Sequence, residues 1–265
     1  MKKIIYRVLA YAIDIFLVTM ITLGVTYLPM FKSVNSEVGK IYVSISTNEL
    51  MYNALNEKLD SYYEDALISE EEMKEIEKEY SNYYSCFNGI KSDEEVTNSK
   101  KSEIAANIKK TYSTIKNDYA YQINKLNIAQ SVIGICIYIL YFGVLQYVLR
   151  GQTLGKKLFK LKVTGIEKEK VSLINFIIRS ILVCEILITG LDLIFLLTMS
   201  KDLYISSNYW ILQIKYIYEI GFIVVMIIRD DNRSVHDLIL KTKVIMIDKN
   251  GIEQKDNEKN TNKIN

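Results

Sequence analysis

Four apolar runs, each long enough to cross a lipid bilayer, alternate with blocks dense in charge, and this segregation limits the fold more than any motif does. The runs are Val8–Met30, Ile128–Leu149, Val171–Met199 and about Tyr209–Ile228. A hydrocarbon core about 30 Å thick needs about 20 apolar residues in helical form. Backbone amides meet no water there, so each run must close its hydrogen bonds within itself. The averages conceal this pattern: 24% of residues are charged, the net charge is +2 and the mean hydropathy is +0.08, values that suit a soluble domain. A single proline fits a largely helical chain. The first run is too long for a signal-peptide core, and no clear small-residue cleavage pattern follows it. It reads as a retained helix with Pro29 near its end.

Lysines and arginines near the span ends set the orientation. Lys2, Lys3 and Arg7 open the first run. Arg150, Lys156, Lys157, Lys160, Lys162, Lys168 and Lys170 lie between the second and third, and Arg229, Arg233, Lys241 and Lys243 follow the fourth. An even number of spans puts these clusters and both termini on one side, expected to be the cytoplasm of a bacterial cell. Lysines there would meet anionic lipid headgroups, each gaining roughly 1 kcal/mol near the surface.

The intervening segment, 31–127, is then extracytoplasmic. Ser46–Glu49 and Ser69–Glu72 have capping-box spacing. The stretches "NELMYNALNEKLDSYYEDAL", "EEEMKEIEKEYSNYYSCF" and "KKSEIAANIKKTYSTIKNDYAYQINKLNIA" read as helices, the last able to run into the second span, with a turn or helix stop at Asn88-Gly89. The fold class expected is therefore an all-α integral membrane protein: four transmembrane helices, an extracytoplasmic helical hairpin insertion and a small cytoplasmic pair of extended segments. The divisions are 1–30 for the first span, 31–127 for the insertion, 128–248 for the other three spans and their loops, and 249–265 for a polar, disordered tail. About half of the tyrosines fall in the insertion, where they serve either helix packing or contact with a partner.

The loop Gly151-Gln152-Thr153-Leu154-Gly155-Lys156-Lys157 has the look of a phosphate-binding loop. Such a loop needs four residues between its glycines, a Ser or Thr after the lysine, and a strand before it. Here three residues separate the glycines, Lys157 occupies the Ser/Thr position, and an apolar span precedes the loop. A nucleotide-hydrolysing site is excluded on those grounds. The glycines instead let the chain turn as it leaves the bilayer. Beyond them, Leu161–Ile166 alternates apolar and polar residues and Lys243–Ile247 is rich in β-branched ones, so both are expected to be extended and to pair. Cys86, Cys136 and Cys184 have no metal-ligand spacing, and His236 is the sole histidine. No metal, no cofactor, no nucleic-acid partner and no enzymatic activity are expected.

Taken together, "YRVLAYAIDIFLV" with Arg7 and Asp14, the loop with Gly151, Gln152, Thr153, Gly155 and Lys156, and the closing "RSVHD…TKV" with His236, Asp237 and Thr242 resemble the RDD family of bacterial membrane proteins, named for one arginine and two aspartates. Arg179, shortly after the basic loop, also fits. The resemblance covers about 1–30 and 128–248 and not the insertion. It implies the membrane core as a fold and transport as an activity, with cation/proton exchange for some members.

Charges inside the runs extend this reading. Asp14 and Arg179 fall at similar depth and are expected to pair. Glu185 and Asp192 share a helical face. Counting inward along the fourth run sets Lys215 level with Asp192 and Glu219 level with Glu185, so Asp192–Lys215 can neutralise each other, or Lys215 and Glu219 can do so at i,i+4. Two close carboxylates resist double ionisation and hold a proton or a cation. Asp14, Glu185, Asp192, Lys215 and Glu219 therefore mark an ion or proton path. Four spans are few for a monomeric carrier, so a transporter would be a homo-oligomer. The alternative function is a membrane anchor that presents the outer insertion to an extracytoplasmic partner.

Overall fold

A computed structural model describes residues 2–62, 68–90, 96–166, 170–248 and 253. The expected tail, 249–265, falls outside these residues apart from Glu253, as does Lys168. The chain divides into two compact units, Met1–Pro29 with Ile128–Asn265, and Met30–Asn127.

The second unit is helical. Helix α2 (Lys32–Tyr62) packs along α4 (Asn98–Leu126), and between them in sequence lie α3 (Glu70–Glu79) and a 3-10 stretch, Ser81–Phe87. Ser69 caps α3 in a full capping box: its hydroxyl accepts from the Glu72 amide, and the Glu72 carboxylate accepts from the Ser69 amide at 2.7 Å. The same spacing at Ser46–Glu49 starts no helix, because α2 already begins at Lys32 and both residues lie inside it. Leu55, Ile68, Ile76, Tyr83, Phe87, Ile104 and Ile108 form a buried core of their own. The Tyr83 hydroxyl donates to Asn48 Oδ1 at 3.0 Å, and Tyr52 stacks on Tyr112 at 4.2 Å. Those tyrosines are packing residues. Cys86 is buried against Thr111. The 3-10 stretch stops at Asn88, and Gly89 takes a left-handed conformation with φ 81°.

The first unit holds the apolar helices. Among the described residues three are long and apolar enough to cross a membrane: α1 (Lys2–Thr26), the rod formed by α5 (Ile128–Ile139), a π-helical segment Leu140–Leu145 and α6 (Gln146–Val148), and α10 (Lys201–Ile228). The expected third span is not one straight helix. It breaks into α8 (Leu173–Val183) and α9 (Ile186–Thr198), bent by 67°, and supplies a fourth crossing if the pair spans together. At the break Glu185 sits in the left-handed region with φ 53°. Large apolar side chains such as Phe16, Leu197, Ile217 and Ile227 stand exposed along these helices. An apolar surface of that extent is stable against lipid and not against water. The chain is a multi-spanning membrane protein.

After the second rod come α7 (Leu154–Leu158) and β1 (Leu161–Gly165); after α10 come α11 (Val235–Ile239) and β2 (Thr242–Met246). The strands pair antiparallel, with Leu161 opposite Met246 and Val163 opposite Val244. Side chains alternate across a strand, and one face, with Leu161, Val163 and Val244, is buried against Ala10 of α1 and Phe176 of α8. A second apolar cluster, Val18, Tyr141 and Phe142, joins α1 to the second rod.

Candidate functional site: two charge clusters and a cavity

Asp14 is fully buried on α1. A carboxylate in that position needs donors on both oxygens. The loop after the second rod supplies them. Oδ1 accepts from the Gly155 amide at 2.7 Å and from the Tyr141 hydroxyl at 2.6 Å, and Oδ2 accepts from the Thr153 hydroxyl. Thr153 also caps α7, accepting from the Lys156 amide. The glycine loop is thus an anion cradle whose anion is the protein's own aspartate. Its two glycines do different work. Gly151 adopts φ 92° and lies so close to β1 that a Cβ would meet the Val163 carbonyl oxygen. Gly155 is helical and makes no turn; a Cβ there would meet the Ala10 carbonyl and the Asp14 carboxyl.

The expected Asp14–Arg179 pair does not form. Arg179 donates to Asp237 and, at 3.0 Å, to the Thr242 hydroxyl. Arg7 donates to the other oxygen of Asp237 at 2.7 Å and to the Asn232 carbonyl. The side chains of Arg7, Arg179 and Asp237 are 9%, 6% and 0% exposed. Asp237 also accepts from the Ser234 amide and hydroxyl, closing the capping box of α11. Asp237 thus caps α11 locally and pairs with two arginines, whose planar forks suit a buried carboxylate better than an ammonium does. Burial favours the neutral acid, but the charges of Arg179 and Arg7 hold Asp237 well below the usual carboxylate range.

Along the expected path, Glu185 and Glu219 do come together, as neighbours that line one cavity. Lys215 Nζ lies 3.4 Å from Glu185 Oε2, so Lys215 serves Glu185 and not Asp192. Asp192 is beside Tyr204, and its Oδ1 is buried without a partner among the described residues. The break in the third span explains the change of pairing, because it swings Asp192 away from the line that a straight helix would follow. Asp14 lies in its own cradle. The backbone carbonyls freed at the break are taken by two tyrosines: Tyr218 donates to the Leu182 oxygen at 2.6 Å and Tyr11 to the Val183 oxygen at 3.1 Å.

Between the spans lies a cavity of about 330 Å³. Arg7, Arg179 and Lys156 line it, and so do Glu185 and Glu219. Lys156 contacts the Thr153 hydroxyl at 3.4 Å and stands 5.8 Å from the Phe142 ring centre. It has no carboxylate within ion-pairing distance among the described residues. Burial, reinforced by the charge of Arg179, brings its ammonium down to about 8. Tyr141, Tyr11 and Tyr218 are contacts that sequence reasoning misses, and nothing in the sequence marks them. Thr153 belongs to the loop pattern, which does not reveal it as a partner of Asp14.

His236 stacks on Phe222 at 5.4 Å, next to Ser234 and Asp237 and within the field of Arg179, Arg7 and Lys156. Burial, with those cations, holds it well below its ordinary value. The folded protein therefore keeps His236 neutral, while the unfolded chain protonates it near about pH 6.5. Its contribution is complete above that pH and is lost as the pH falls. Acidification from about pH 7.5 to about pH 5.5 should lower the thermal midpoint of the native protein more steeply than that of His236→Gln. Equal slopes would assign acid sensitivity to other groups.

No curated protein and no solved structure matches the chain. The profile of the RDD family matches residues 104–241, just over half of the sequence, a span that includes the glycine loop, Arg179, His236 and Asp237. With that match, the chain belongs to the RDD family.

Proposed function

We propose that this protein is a transporter or transport subunit that exchanges cations for protons at Glu185 and Glu219. The observation that carries the reading is the break in the third span. A discontinuous helix, with carboxyl groups at the break and a cavity beside them, is a recurrent way to build an ion site at membrane depth. Charged residues there are costly and mark pathways by default. Two neighbouring carboxyl groups resist double ionisation, so the pair can hold one proton that an arriving cation displaces. On this reading there are four crossings, counting the bent pair as one, with both termini and the basic loop on the cytoplasmic side of a cell membrane and 31–127 outside. A homo-oligomer would complete the path.

In proteoliposomes with an imposed pH gradient, addition of Na+ or K+ should drive proton flux in the native protein. The Glu185→Gln, Glu219→Gln double variant should remain folded and lose that flux. Unaltered flux in the double variant would remove the mechanism. A native protein without any flux would favour the second reading, a membrane anchor for the 30–127 unit. The separate buried core of that unit is what supports it.

A further inference from the structure

We infer that the cavity takes a small zwitterionic organic molecule, its anionic group at Lys156 and its cationic group at the Glu185–Glu219 pair. This rests on the transport reading and names the substrate class of the same site. Size is the first argument. An alkali cation at the carboxyl pair would fill only a small part of the space, and about 330 Å³ falls in the range of pockets for small organic ligands. The walls are the second. Phe142, Val183, Phe222, Ile223 and Met226 line the cavity, and such surfaces accommodate hydrocarbon instead of solvating an ion.

The distribution of charge is the third argument. Arg179 lies within α8 and Glu185 beyond its end, at the break, so the two stand at different levels along the third span. On α10, Met226 and Phe222 precede Glu219 going inward, and on α1 Arg7 precedes Tyr11 by a turn. The cavity is therefore basic at one level, apolar in the middle and acidic at the other. Arg7 and Arg179 are already committed to Asp237. Three cations, Arg7, Arg179 and Lys156, face two buried acids at this level, Asp237 and Asp14, the latter reached from Lys156 through the Thr153 hydroxyl, so the level carries one positive charge in surplus. Lys156 lines the cavity without a direct ion pair among the described residues and can meet a ligand carboxylate or phosphate. At the acidic level two carboxyl groups face one ammonium, that of Lys215. A ligand ammonium fits the deficit. A simple anion would leave the acidic level unmatched, and a simple cation would leave the surplus positive charge of the basic level unmatched.

The test is calorimetric titration of the full chain in lipid nanodiscs, with empty nanodiscs subtracted. The probes are ε-aminocaproate and its one-charge controls, caproate and hexylamine. The native protein should bind ε-aminocaproate at least about tenfold more tightly than either control. Lys156→Gln should weaken ε-aminocaproate and caproate by about tenfold and leave hexylamine unchanged, and Lys156→Arg should retain binding. Glu219→Gln should weaken hexylamine and ε-aminocaproate and spare caproate. Lys157→Gln, beside the site but exposed, should change nothing. The native comparison is decisive by itself if a variant misfolds. Absence of ε-aminocaproate binding, or a control that binds equally well, would overturn the inference. Cation-driven proton flux without ε-aminocaproate binding would sink this inference and leave the transport reading standing. Binding without flux would do the reverse.

Discussion

Asp237→Asn should leave little folded protein. The substitution takes the shared acceptor from two arginines that stay buried. Removing one partner of a buried ion pair costs about 3–5 kcal/mol, and here two guanidinium groups lose their counter-charge together. Total stabilities run to only about 5–15 kcal/mol. The measurement is the monodisperse fraction and thermal midpoint of the detergent-solubilised protein. Asp237→Glu keeps the charge at a different reach and should recover part of the loss. A full midpoint in Asp237→Asn would show that the cluster contributes little to folding.

Gly155→Ala should also destabilise strongly, although alanine is ordinarily the better helix former by about 1 kcal/mol. The added methyl meets the Ala10 carbonyl oxygen, which is backbone and cannot rotate aside, and presses on the Asp14 carboxyl. Forcing the short helix off α1 costs typically about 1–3 kcal/mol in packing strain. It also loosens the amide that Asp14 needs. Gly190→Ala is the control: nothing lies within 4 Å of a Cβ there, so that variant should be neutral or slightly more stable. Equal midpoints for the two variants would mean that α7 can shift without penalty.

Much of this architecture is legible in the residues. Span-length apolar runs can close their hydrogen bonds only as helices, and alternation in Leu161–Gly165 marks a strand with one buried face. The capping box at Ser69 is readable because cap and partner are local. The break at Glu185 is not readable. Neither glycine nor proline stands there, and the left-handed turn is held by hydroxyls from Tyr11 and Tyr218 on other helices. The same limit hides the partners of Asp14 and Arg179. Counting depth along a helix gives a level in the membrane, but it does not say which of several groups at that level is nearer. Ser46–Glu49 fails for the opposite reason: the spacing is right, and the helix simply began a few turns earlier.

The bond from Arg7 to Asp237 joins residues 230 positions apart. A ribosome delivers the first helix early and the acid that neutralises its arginine almost last. Meanwhile β1 has no strand to pair with until β2 emerges. Arg7 must wait while the whole 30–127 unit and three further crossings are made, whereas the strand edge and Arg179, which follow that unit, wait only for the remaining crossings. Contacts of such sequence separation form slowly. The membrane core therefore locks in a single late event, when α11 and β2 arrive, and any ribosome stalled before Val235 leaves behind a chain with two arginines and one strand unclaimed.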